Sequence, residues 1–262
     1  MAGIIDTHAH YDDSAFDIDR DALLAQVGHS TVTKIINIGD SPSSCRSTLE
    51  ISRKYENVYA AIGVHPTETG ALNDDIFAEL ADMAENNLQR DGRGHVVAVG
   101  EIGLDYHEDG VSKEVQQKWF IRQMELAQRL KLPVSIHSRD AAEDTLEIIK
   151  RFGGKVKGVI HCFSYSKEMA AEYDRLGFAI GIGGVVTFKN AKKIKEVAAD
   201  VPDRQIVLET DSPYIAPEPN RGTRNTSWNL TYVVTEIAKL RDTTEDEIMR
   251  ITTENAVRIF GL

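Results

Sequence analysis

Gly3-Ile4-Ile5-Asp6-Thr7-His8-Ala9-His10 opens on an apolar, β-branched run and ends in two histidines one residue apart. Alternate residues of an extended strand share a face, so the two imidazoles can point at one ion. An open doubly wound sheet normally carries a glycine-rich phosphate turn after its first strand. Here His8-Ala9-His10 stands in that place.

The same kind of run recurs at 33–38, 58–63, 95–101, 132–137, 156–161, 177–182 and 204–210, the first spanning 3–8. Helical periodicity occupies 15–28, 42–56, 73–90, 113–130, 140–152, 166–175 and 189–199, and then 226–240 and 244–259. Most of the strand-like runs are continuously apolar rather than alternating, as expected of parallel strands covered on both faces. Eight strand-then-helix units predict an α/β fold, a closed (β/α)8 TIM barrel forming one domain over residues 1–262. Ser43 or Ser44, and Asp242, are expected as helix N-caps.

Of the 262 residues, 42% are hydrophobic, enough for a large core. No run approaches the roughly 18 apolar residues that read as a membrane span. The start lacks a basic segment before an apolar stretch, so an export signal is not expected. Cys45 and Cys162 form no CxxC, which fits a reduced, cytoplasmic protein. Thirty basic against 41 acidic residues give a net charge of −11, which argues against a long, non-specific nucleic-acid groove. A nucleic-acid end entering a small metal-containing pocket stays compatible with that charge. No obligate protein partner is evident.

The other strand-like runs also end in ligand-type residues. Glu101 follows Val96-Val97-Ala98-Val99-Gly100, His137 follows Pro133-Val134-Ser135-Ile136, His161 follows Val156 to Ile160, and Asp211 follows Ile206 to Thr210. Each alone has a plain reading: a hydrogen-bonded core histidine, a salt-bridged carboxylate, a turn-capping aspartate. Together, on the C-terminal side of successive barrel strands, they predict a metal-centred active site. Four imidazoles and two carboxylates exceed the three ligands of a usual catalytic site. They suit two divalent ions sharing a bridging carboxylate, about 3.5–4 Å apart in such pairs. Nitrogen-rich ligation favours Zn, Mn, Co or Fe, with Mg tolerated at a carboxylate-rich half.

His8-Ala9-His10, Gly63-Val64-His65-Pro66, Gly100-Glu101-Ile102-Gly103-Leu104-Asp105-Tyr106 and Glu209-Thr210-Asp211-Ser212-Pro213-Tyr214 resemble, in order and over essentially the whole chain, the TatD family. That family is similar to the amidohydrolase superfamily of barrel metalloenzymes. The resemblance implies a metal-dependent hydrolase acting on phosphodiester bonds, a 3′-to-5′ deoxyribonuclease whose substrate is a DNA end. It implies His8, His10, Glu101 and Asp211 as ligands of one metal. Glu101, His137 and His161 would hold the second, with Glu101 bridging. Asp211 would also take a proton from the attacking water. His65 is implied near the substrate phosphate, where a merely hydrogen-bonded histidine is the alternative. Arg221, in Asn220-Arg221-Gly222-Thr223-Arg224-Asn225, is a candidate phosphate clamp or an ordinary solvated arginine. After Arg224-Asn225 the chain reads Thr226-Ser227-Trp228, where Glu-Pro is common in the family. The rival reading keeps the metal centre and changes the substrate to a carboxylic ester, lactone or amide, an aminoacyl ester included.

Several motifs read as structural. Gly181-Ile182-Gly183-Gly184 lacks the Lys-Ser/Thr of a phosphate loop and fits strand packing. The basic run from Lys189 to Lys195 fits a solvated helix start. His29, His95 and His107 lack ligand context, Cys162 is expected as a small buried residue rather than a ligand, and Trp119, Tyr106 and Trp228 are expected to pack.

Overall fold

The structure, a computed structural model, describes residues 3–89 and 95–262. Eight strands form one sheet in chain order, every neighbouring pair parallel. They are β1 (Ile4–Ala9), β2 (Val32–Ile38), β3 (Val58–Ala61), β4 (Val96–Asp105), β5 (Val134–Arg139), β6 (Gly158–Ile160), β7 (Phe178–Ile182) and β8 (Ile206–Leu208). The sheet closes where β1 meets the segment after β8. The amide of Asp211 donates to the His8 carbonyl at 2.9 Å, and the amide of His10 donates to the Ser212 carbonyl at 2.8 Å. This is the (β/α)8 barrel that the sequence predicts.

The strands are buried along most of their length, β1 and β4 throughout, while β2 is half-buried at Thr33 and Lys34 and β5 emerges at its C-terminal end. One packed cluster gathers Ile5, Ile36, Tyr59, Val97, Val159 and Val207 with Phe260 near the C-terminus. A larger one packs strand side chains against the surrounding helices.

Those helices are α1 (Arg20–Leu24), α2 (Pro42–Lys54), α3 (Asp74–Asn86), α4 (Lys113–Leu130), α5 (Ala142–Arg151), α6 (Lys167–Arg175), α7 (Lys192–Asp200), α8 (Leu230–Leu240) and α9 (Glu245–Phe260). Three departures have physical causes. The helix expected over 15–28 is only five residues long, because the preceding turn is pinned by Arg20, whose guanidinium donates to the carbonyls of Tyr11, Asp12 and Asp13. Ser41, not Ser43 or Ser44, caps α2, with Ser44 returning a hydrogen bond as its capping-box partner. Thr244 caps α9 in place of Asp242, which takes a left-handed φ of 50° just before it. The expected helix end at residue 90 lies outside the described residues.

β4 also runs four residues past Glu101, so that carboxylate rises from within a strand rather than from its end. The longer strand carries Asp105 to the same rim as the metal-type residues, with Gly103 allowing close approach of β5. A Cβ on Gly103 would sit 2.0 Å from the His137 carbonyl oxygen.

Candidate metal centre

The barrel brings all six expected ligands to one cluster at the strand C-termini. His8 comes from β1 and His10 directly follows it, Glu101 comes from β4 and His137 from β5; His161 directly follows β6, and Asp211 follows β8. Glu101 sits in the middle. Its Oε1 lies 3.0 Å from His137 Nδ1 and 2.8 Å from His161 Nε2. Its Oε2 lies 3.4 Å from His8 Nε2 and 3.7 Å from His10 Nε2. Asp211 Oδ1 approaches the first pair from the other side, 3.4 Å from His10 Nε2 and 3.7 Å from His8 Nε2.

Partners outside the cluster orient the imidazoles, as metal-binding histidines require. His10 Nδ1 faces the Ile38 carbonyl at 3.0 Å. That oxygen only accepts, so Nδ1 carries a proton and neutral His10 presents a lone pair at Nε2. His8 Nδ1 lies 3.0 Å from the Ser135 hydroxyl, and His137 Nε2 donates to Asp105 Oδ2 at 2.9 Å. His8 and His161 stack with ring centroids 3.9 Å apart, fixing the two halves of the cluster against each other.

The electrostatics describe a site built to hold positive charge. Burial opposes charging of His10, but its hydrogen bond to Asp211 and the charges of Asp211 and Glu101 push it up to about 10. His137 is likewise opposed by burial yet pushed up to about 9 by Asp105 and Glu101. Burial and the charge of His161 hold His8 down to about 4. Burial works against ionised Glu101, but the surrounding histidines bring it well below the ordinary carboxylate range. The Nε2 atoms of His8 and His10 face each other at 3.1 Å.

Three sets of donor atoms lie within 4.8 Å of one another: His8, His10 and Asp211; His8, Glu101 and His161; His65, Glu101 and His137. The outward nitrogens of His8, His10 and His137 are held, that of His161 is buried without a partner among the described residues, and imidazoles converging in this way on ionised carboxylates fit divalent metal ions. Cys162 stands apart from these sets. Burial, then the charges of Asp211 and Glu209, push its thiol well above the ordinary value, which suits a neutral side chain.

His65 lies four residues beyond β3, where it caps the turn Pro66–Ala71. Its Nδ1 accepts from the Thr67 amide at 3.3 Å, and burial holds it down to about 4. A neutral imidazole accepting at Nδ1 carries its proton on Nε2, which sits 3.6 Å from Glu101 Oε1 at the cavity edge. It therefore offers a donor rather than a lone pair. Arg221 is not brought to the cluster: its guanidinium lies 4.3 Å from the Phe188 ring centroid, and it does not line the cavity over the cluster.

Three residues that sequence reading passed over are at the site. Arg139 and Tyr214 line the same cavity of about 520 Å³ as His10, His65, Glu101 and Asp211. Arg139 was signalled by its place two residues after His137 on one strand. Asp105, which holds His137, was signalled by lying four residues after Glu101 in an otherwise apolar run. Tyr214, 53% exposed at the rim, had no signal beyond its motif. As expected, Tyr106 and Trp228 pack against the core, donating to Asp144 and Ser30, and Trp119 is buried against Phe77.

The segment Thr226-Ser227-Trp228 has a structural role at the seam between β1 and β8. The Ser227 hydroxyl donates to Asp6 Oδ2 at 2.6 Å, and its amide donates to the Tyr11 hydroxyl at 3.0 Å. Asp6 is fully buried and also accepts from the amide and hydroxyl of Thr210, one residue before Asp211.

Comparison with known proteins agrees with this geometry. The family model for TatD related DNase matches residues 5–261. The uncharacterized metal-dependent hydrolase YabD of Bacillus subtilis is 39% identical over 261 residues, covering 99% of both chains. The human deoxyribonuclease TATDN3 is 29% identical, covering 98% of this chain and 94% of that one. The crystal structure of the TatD homologue YjjV from Escherichia coli superposes with a TM-score of 0.87 at 32% identity, covering 99% of this chain and 98% of that one. The chain is an enzyme that belongs to the TatD family of metal-dependent hydrolases.

Proposed function

We propose that this enzyme hydrolyses phosphodiester bonds with two divalent ions, drawn from Zn, Mn, Co, Fe or Mg, and shortens DNA from its 3′ end. The observation that carries the two-ion reading is Glu101, whose two oxygens face two different histidine pairs while Asp211 closes the first. We assign His8, His10, Glu101 and Asp211 to one ion and Glu101, His137 and His161 to the other. When bound, the ions neutralise phosphate charge and make water easier to deprotonate.

The chain's own residues do the rest. Asp211 accepts the proton of the attacking water; burial opposes its ionised form, but the facing histidines hold its carboxyl below the ordinary value, so it is ready as an acceptor. His65 donates from Nε2 to a phosphate oxygen, and Arg139 holds another from the rim. Arg139 takes the clamping role that Arg221 holds in the sequence reading, because its side chain lines the cavity. The name of the family and of TATDN3 supports DNA as the substrate.

The ester, lactone or amide reading shares every ligand and differs in the need for phosphate donors, so His65 and Arg139 favour the phosphodiester. The deciding experiment incubates metal-loaded protein with DNA labelled at either end, matching RNA, and a panel of esters and lactones. Progressive loss from the 3′ end, abolished by Asp211→Asn, is the expected result. Turnover of esters or lactones alone would overturn the reading.

A further inference from the structure

A second cavity of about 270 Å³ lies beside Asp211 at the ends of β6, β7 and β8. It shares Cys162, Ser164, Asp211 and Ile215 with the central cavity, so the two meet at the proposed proton acceptor. Their linings differ in chemistry. The central cavity presents imidazoles, carboxylates and Arg139, whereas the walls of the second are Phe163, Val185, Ile194 and Ile215. Phe163 is buried and braced edge-on by Tyr165, centroids 5.9 Å apart.

The glycines of Gly181-Ile182-Gly183-Gly184 build this cavity. A Cβ on Gly184 would lie 2.2 Å from the Ile215 carbonyl oxygen, and one on Gly181 would strike the Glu209 carboxyl group at 2.0 Å. The close approach of both neighbours therefore needs glycine. Glu209 lines the cavity; its Oε1 accepts from the Cys162 amide, and its Oε2, buried beside Gly181, has no hydrogen-bond partner among the described residues. Lys193, from the basic run at the start of α7, stands at the edge.

We propose that this side cavity is the subsite for a nucleobase flanking the scissile phosphate, an inference that rests on the phosphodiester reading above. A base has flat apolar faces for Phe163, Val185 and Ile194 and a polar edge for the lone Glu209 oxygen. An aliphatic leaving group would fill the walls and leave that oxygen unpaired, which costs binding. Lys193 is placed to meet the backbone phosphate beyond the base.

The test compares metal-loaded wild type with Val185→Trp, which fills the cavity, and Val185→Ala, which enlarges it. The substrates are dithymidine phosphodiester and its two analogues with a tetrahydrofuran residue replacing one nucleoside. Wild type should prefer the complete dinucleotide over one analogue by about tenfold in kcat/KM, as for loss of one well-packed group. Val185→Trp should collapse that ratio toward one, and Val185→Ala should shift preference toward purine dinucleotides. Equal use of all three substrates by wild type, or a ratio untouched by both variants, would overturn the subsite. Calorimetric binding of thymidine 5′-phosphate against deoxyribose 5-phosphate reads the same subsite without turnover. If no phosphodiester is cleaved yet the nucleotide binds tighter in a Val185-dependent way, the phosphodiester reading fails and the base subsite stands.

Discussion

At the scale of single residues, the proposed ligand histidines would trade protons for metal. In the metal-free site His10 is pushed up to about 10 and His137 up to about 9, both above the ordinary histidine value of about 6.5. Their contribution to metal-free stability is therefore full below about pH 6.5 and is lost as pH rises through 9 to 10. Metal affinity runs the opposite way, since a ligand nitrogen must shed its proton. Titration calorimetry at pH 7 in buffers of different ionisation enthalpy should show proton release on metal binding, fading above about pH 10. Release that does not change with pH would contradict the assignment. His65 is distinguished from the ligands by its tautomer. His65→Ala should lower kcat by about 10²-fold, the cost of one transition-state donor, while bound metal per chain stays that of wild type. Loss of metal in that variant would make His65 a ligand instead.

At the scale of elements, the seam between β1 and β8 positions the chemistry. Asp6 sits beneath His8 and gathers hydrogen bonds from Thr210 and Ser227, so the turn carrying Asp211 is tied to the strand carrying His8 and His10. Burial raises the Asp6 carboxyl to about 6 despite those bonds, so each donor matters. Ser227→Ala should destabilise the protein by about 1–3 kcal/mol, the penalty for leaving a buried polar group short of a partner. Denaturant unfolding measures this, and a change under 0.5 kcal/mol, about the scatter of neutral surface substitutions, would remove the seam role. The substituted loop Thr226-Ser227-Trp228 is thus explained by what it holds together, not by contact with the cavity. The sequence shows the unusual residues there but not their partner, because Asp6 lies 221 positions away and only barrel closure makes them neighbours.

At the scale of the whole molecule, net charge and local charge point in opposite directions. The chain carries −11 overall, and Arg139 is the one lysine or arginine among the described residues lining the central cavity. Affinity for a DNA end should therefore come from the metal ions and one or two phosphate contacts. For single strands each contact contributes a slope of about −0.7 in log affinity against log salt, so a slope of about −0.7 to −1.4 is expected. A slope steeper than about −4, from oligonucleotide binding at several monovalent salt concentrations, would reveal a basic track outside the central cavity. No helix among the described residues is long and apolar enough to cross a membrane.

The sequence by itself determined the barrel and the candidate ligand set. Parallel strands buried on both faces must be continuously apolar, so a histidine or carboxylate ending such a run stands out locally. For the same reason His8, His10, Glu101, His137, His161 and Asp211 were legible from the residues just before them. Tertiary structure alone decided what depends on neighbours distant in the chain. It put the two oxygens of Glu101 toward different histidine pairs and the proton of His65 on Nε2. It brought Arg139 rather than Arg221 into the cavity, and it turned a glycine-rich strand end into the wall of a second one. These are matters of orientation across strands: local patterning says which residues of one strand share a face, not what stands opposite them once the barrel has closed.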